Sequence, residues 1–283
     1  AGDVTARGRV VVPDFDPMRA AGELVLESAV FDAAGLEVKQ SRPSLVSVKN
    51  GVISADDVFW EAAGSTLALG GTVDVTRESP VLDLHLSGIA VLRVLSAFLP
   101  TVGIDGNAEV DVRIGGTADA PELSGSIELD GAEAALASPR VLISDLSGPI
   151  VFSGTRVELR GLAGSANGGA LVIDGGVVLV GPQVGEGEFY VQAQGVALEY
   201  PDGLRSEIDA LVTYLIGDAA PILRGDVRVQ RSAFTRPISL AALAGRTAAV
   251  GPQAAPSALD DLRLDITITT VEDLRVDNNS GRF

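Results

Sequence analysis

The chain has 283 residues, a net charge of −17, no cysteine, and lysine only at Lys39 and Lys49. Without cysteine there are no disulfides, thiolate metal sites or cysteine nucleophiles, and basic residues scattered singly leave no stripe to neutralise a phosphate backbone, which argues against nucleic acid. No apolar run reaches the ~20 residues of a bilayer-crossing helix; Ala1 opens the chain without a start methionine or signal peptide and Phe283 closes it in strand-like sequence, which reads as an interior piece of a longer protein.

Hydrophobic residues make up 46% but aromatics only 4%, against 33 glycines and 14 prolines, so Val, Leu, Ile and Ala are divided by turn formers and short strands are favoured. In chain order, alternation of apolar and polar residues predicts strands at Leu24–Leu26, Val73–Val75, Leu82–Leu86, Ala108–Ile114, Ile127–Leu129, Val157–Leu159, Val227–Val229 and Leu262–Ile268. Asn50-Gly51, Asp105-Gly106, Asp130-Gly131 and Asp174-Gly175 are dipeptides that accept positive φ, and they predict hairpin turns in an antiparallel meander. Ile89 to Leu99, stopped by Pro100, is one helix expectation and Ser239 to Ala249 a weaker one. Residues 240–257, rich in Ala, Gly and Pro, read as a linker.

The strands repeat. Pro121 to Leu129 matches Pro221 to Val229 at a spacing of 100 residues, and an earlier copy holds Gly22 at 103 residues before Gly125. A second element, Gly64 to Gly71, matches Gly169 to Gly176 at an offset of 105. Units of this kind cannot each bury an apolar face alone, so neighbouring units continue one sheet.

Such a sheet must hide its aliphatic face with few helices to cover it. A closed sandwich or barrel with layers about 10 Å apart is one solution, and a gutter covered by a bound apolar ligand is the other. Periodicity leaves both open.

Chemistry-bearing residues are sparse. His85, the single histidine, falls on the polar side of its strand, with no nucleophile assembled around it. Asp56-Asp57 and Asp260-Asp261 lack further ligand spacing, Gly168-Gly169 and Gly185-Glu186-Gly187 lack the context of a phosphate cradle, and Asn278-Asn279-Ser280 is a glycosylation-type triplet common by chance. Trp60 reads as a rim or core residue. No catalytic residue, metal or cofactor is expected.

The run Gly115-Gly116-Thr117-Ala118-Asp119-Ala120-Pro121-Glu122-Leu123-Ser124-Gly125, followed by Leu142 to Ile150 and Leu162 to Gly176, resembles the TamB and AsmA-like proteins of bacterial envelopes. The individual motifs are loose glycine and aliphatic positions, while their order over most of the chain is more specific. The resemblance implies an all-β, elongated, taco-like curled and mostly antiparallel sheet with a hydrophobic groove, built from repeats of about 100 residues, with one or two short helices. Residues 1–238 are expected to form the groove units, 239–257 the linker, and 258–283 the start of a TamB-like C-terminal domain.

Similarity to bridge-like lipid transfer proteins implies a non-enzymatic segment in the periplasm of a diderm bacterium. It would shield phospholipid acyl chains moving between inner and outer membranes. A TamA-like outer-membrane protein and an inner-membrane anchor would be engaged through regions outside this chain. The expected groove lining is Leu24, Leu26, Val73, Val75, Val110, Val112, Ile114, Ile127, Leu129, Val157, Leu159, Val227, Val229, Leu264 and Ile266. An extracellular adhesive β-solenoid is the rival, but its repeats usually run about 20 to 30 residues.

Overall fold

A computed structural model describes residues 2–234, apart from 34, 98–101, 137–138, 182, 201–202 and 218–219, and then 262–271, 274–278 and 281–282. It is all-β, with one long, curved and mostly antiparallel sheet. Strands β1 (Gly2–Val11), β2 (Ala21–Ala33), β3 (Leu36–Gln40), β4 (Ser44–Lys49), β5 (Val52–Ala62), β6 (Ser65–Asp74), β7 (Val81–Val91) and β8 (Val102–Gly116) form the first half. They continue as β9 (Pro121–Leu136), β10 (Val141–Gly154), β11 (Arg156–Ala166), β12 (Gly169–Val180), β13 (Gln183–Glu199), β14 (Leu204–Ile216) and β15 (Ile222–Phe234).

Each strand through β15 pairs antiparallel with the next, except that β3 and β4 share one position between β2 and β5. Pro43 explains that break, because it offers no N–H to a ladder flanked on both sides. Beyond it, β16 (Arg263–Thr270) lies parallel on β15, so it extends the same sheet. A short β17 (Leu274–Asn278) continues alongside the end of β15 and pairs with β18 (Gly281–Arg282). The linker at 239–257 and the weaker helix expectation lie outside the described residues.

Three sequence expectations are corrected. Asn50-Gly51 is a hairpin turn, with φ of 51° and 76°, but Asp105-Gly106, Asp130-Gly131 and Asp174-Gly175 lie inside β8, β9 and β12. Positive φ serves a bulge or bend there as readily as a turn. The Gly131 amide, freed from the ladder, donates to Ser147 Oγ at 3.0 Å, and the Gly161 and Gly195 amides donate to Asp174 and Asp209 Oδ1 at 2.6 and 2.9 Å.

Secondly, Ile89 to Val91 belong to β7, and of the described residues of this run Leu92–Ala97 winds, as a 3-10 turn. The run is apolar on both faces, a pattern a helix and a strand share, and β-branched Ile89 and Val91 pair with Glu109 and Asn107. Leu92 then packs against Ala108 and Ala132.

Thirdly, the second repeat is one residue out of step. Gly71 and Gly175 are the equivalents, with φ of 125° and 132°, and a β-carbon at either would stand 2.1 or 2.2 Å from the next strand's carbonyl oxygen, Asp83 or Glu188. The offset is therefore 104, and Gly176 faces the other way. Slipping by one residue swaps sheet faces, and this signal is invisible in a string of similar residues.

Candidate functional site

Directly opposed residues share a face of a sheet and successive residues alternate, so the pairing register sorts every paired side chain onto one of two faces. One rung runs Leu24, Val46, Ala55, Gly71, Leu84, Ile114, Leu123. Another crosses β6 to β16 as Leu67, Gly88, Val110, Ile127, Ile150, Leu159, Gly175, Phe189, Tyr214, Leu223, Leu264. A third passes Leu69, Leu86, Val112, Gly125, Phe152, Val157, Val177.

The other expected lining residues that lie within the ladders join the same face. Leu26 sits opposite Ala6, Val73 opposite Leu82, Leu129 opposite Ala108, Ile266 opposite Gly225, Val227 opposite Ala210 and Val229 opposite Ile208. Val75 falls just past β6, its amide donating to the Gly51 carbonyl at 2.8 Å. Trp60, paired with Leu67, also lies on this face and meets Phe31 edge-on at 5.4 Å between ring centres.

Among the described residues of β1 to β16, no paired residue of this apolar face is charged. Its polar members are Gln40, Ser44, Ser65, Ser206, Tyr214, Ser232 and Thr270, all neutral. The charged residues of the ladders stand on the opposite face. There Glu109 opposes Glu128 and Asp105 opposes Glu133, an acidic band relieved by Arg93 on Asp105 at 2.5 Å and by His85 Nε2 on Asp111 Oδ1 at 2.8 Å. The Arg93 hydrogen bond holds the Asp105 carboxyl below its usual range. His85 thus sits on the polar side, where parity places it.

The apolar face covers fifteen strand positions from β1 to β16, which at ~4.8 Å per strand gives a strip roughly 67 Å long. Packing along it is lateral. Ala166, Leu171, Ala193 and Val196 form one buried cluster with neighbours from β10 to β14, and Leu92, Ala108 and Ala132 form another. Among the described residues Leu162 is the one large side chain that is fully buried, at 2% exposure. Two interdigitated layers would bury many more.

Glycines shape the strip. The repeated Gly22, Gly125 and Gly225 all lie on the apolar face, and a β-carbon at any of them would come within 2.1 to 2.2 Å of a neighbouring carbonyl oxygen. Close backbone approach at mid-strand, together with bulges such as Gly161 and Gly195, bends a sheet across its strands. Asn167 fastens one rim: its Oδ1 accepts the Leu142 amide at 2.8 Å, and its Nδ2 donates to the Arg140 and Ala197 carbonyls at 3.1 and 2.8 Å.

On the charged face a depression of about 660 Å³ is lined by Arg156, Glu158, Arg160, Glu188 and Tyr190. Within it Arg160 pairs with Glu158 at 2.8 Å, and Glu188 pairs with Arg224 on the neighbouring β15 at 3.5 Å. The Tyr190 hydroxyl is pushed up by its hydrogen bond to Glu188. Asp56 and Asp57 form the bulge of β5, while Asp260, Asp261, Asn279 and Ser280 lie outside the described residues.

No family model, curated protein or solved structure matches the chain.

Proposed function

We propose that this chain is an interior segment of a TamB/AsmA-like envelope protein that shields phospholipid acyl chains on their way between inner and outer membranes. The observation that carries the reading is the charge-free apolar face, continuous over fifteen strand positions and packed only sideways. An acyl chain of about 16 carbons loses on the order of 13 kcal/mol on leaving a membrane for water, at ~0.8 kcal/mol per methylene. A lining without interruption offsets that cost at every step along the strip, whereas a single buried charge would set a barrier of several kcal/mol. Headgroups would stay in water beyond the rims, so the chain needs no catalytic group.

The antiparallel meander speaks against the adhesive solenoid, whose stacked coils align parallel strands. The periplasm, a TamA-like partner and a membrane anchor belong to the same proposal and follow from the resemblance. Native mass spectrometry with lipid extraction of the purified chain tests it. Co-purifying phospholipid in at least stoichiometric amount is expected; a lipid-free chain that also refuses phospholipid from detergent micelles would refute it.

A further inference from the structure

The depression of about 660 Å³ on the charged face has β11 and β13 for its walls, which stand about 10 Å apart across β12. Between them Gly176 lacks a side chain and Val178 supplies an apolar floor. Two carboxylates of the walls are already met, Glu158 by Arg160 and Glu188 by Arg224. That leaves one cation and one anion. Neither Arg156 on the first wall nor Glu186 on the second holds an ion pair or hydrogen bond among the described residues.

Both charges stand at a rim of the sheet. Gly154 ends β10 and Arg156 opens β11, with Thr155 alone between them. β14 ends at Ile216, opposite Gly187, so Glu186 is the first residue of β13 beyond that ladder. The chain neighbours of the two charges belong to the other face, where Val157 opposes Val177 and Val177 opposes Gly187. The apolar strip therefore reaches the rim directly behind the charged pair.

We propose that this rim pocket receives the headgroup of a zwitterionic phospholipid whose tails lie on the strip, an inference that rests on the acyl-chain reading above. Arg156 donates to the phosphate, which a guanidinium can hold with two parallel N–H groups, and Glu186 accepts from the ammonium. A headgroup with a phosphate but no cation leaves Glu186 unpaired beside a like charge, which counts against it. The pocket thus selects ethanolamine-type over glycerol-type headgroups. It is one station and not a property of every repeat, since Val52, opposite Asp74, holds the place equivalent to Arg156 104 residues earlier.

The test supplies phosphatidylethanolamine and phosphatidylglycerol in equal amounts from detergent micelles and reads the bound lipids by native mass spectrometry. The wild-type chain is expected to hold the ethanolamine lipid about threefold over the glycerol lipid, the size that exposed ion pairs allow. Glu186→Arg presents two cations and is expected to lose or invert that preference at unchanged total lipid. Glu128→Arg, on β9, changes the net charge by the same amount outside the pocket and keeps the wild-type ratio. Circular dichroism confirms the fold of both variants. Equal ratios in wild type and Glu186→Arg, or the same shift in Glu128→Arg, overturn the pocket and leave the strip standing, whereas a chain that takes up neither lipid refutes the strip and the pocket with it. Glycerophosphoethanolamine, the same headgroup without tails, separates a lipid site from a solute site: saturation of the pocket by it with no change in the lipid ratio would also overturn the proposal.

Discussion

Gly225 stands at a φ of 142°, and a β-carbon there would lie 2.2 Å from the carbonyl oxygen of Leu211 on the adjacent strand. Neither the backbone angle nor the contact tolerates a side chain. Gly225→Ala is expected to cost about 3 kcal/mol or more, and Gly125→Ala about as much, through strain and displaced backbone. Gly131, at a φ of 60° with open space around it, is the comparison: Ala there is expected to cost about 1 kcal/mol. Urea unfolding of the three variants checks the order, and equal losses would contradict it.

Leu162 and Leu264 lie on the same apolar face, one 2% and the other 67% exposed. Leu162→Ala empties space inside a lateral cluster and is expected to lose about 3 kcal/mol. Leu264→Ala loses a side chain already in water and stays within about 0.5 kcal/mol of wild type. Chemical denaturation in the absence of lipid measures both.

Asp209 caps the bulge at Gly195, accepting that amide at 2.9 Å while the Gln230 amide donates to its other oxygen. These bonds, the Gly195 one foremost, hold its carboxyl below the usual range. A carboxyl depressed by folding contributes stability that is present above its unfolded pKa and is lost as pH falls through the folded one. The gap in melting temperature between wild type and Asp209→Ala is therefore expected to be full at neutral pH and to shrink in acid. A gap that widens as the solution is acidified would contradict this origin.

Alternation made the chemistry of each strand legible in the sequence. Strict parity at Ala108–Ile114 or Ile127–Leu129 states which side chains share a face, and the register joins those faces into one strip. Glycine was ambiguous because the same freedom of φ serves three ends. It makes a turn at Asn50-Gly51, a bulge at Gly131 and a bend at Gly175, and only pairing partners tell them apart. Ile89 to Leu99 misled because an apolar stretch of that length has no period to read. The rim contacts of Asn167 join residues 25 to 30 positions apart, beyond any local pattern.

Leu129 and Glu128 are neighbours that point to opposite faces. Leu129→Arg places a charge on the strip and is expected to reduce bound phospholipid severalfold while the strand signal in circular dichroism persists. Glu128→Arg, the same substitution one residue earlier, leaves lipid content unchanged. Equal effects would remove the distinction between the faces.

The most direct measurement places a photo-crosslinking amino acid at Leu24, Val112, Leu159 and Val227 and, separately, at their neighbours Glu23, Asp111, Glu158 and Asp226, then illuminates the chain loaded with phospholipid. Adducts carrying the mass of a phospholipid are expected at the first four positions and absent at the second four. Adducts at neither set, or at both alike, would contradict a strip that carries acyl chains on one face of the sheet.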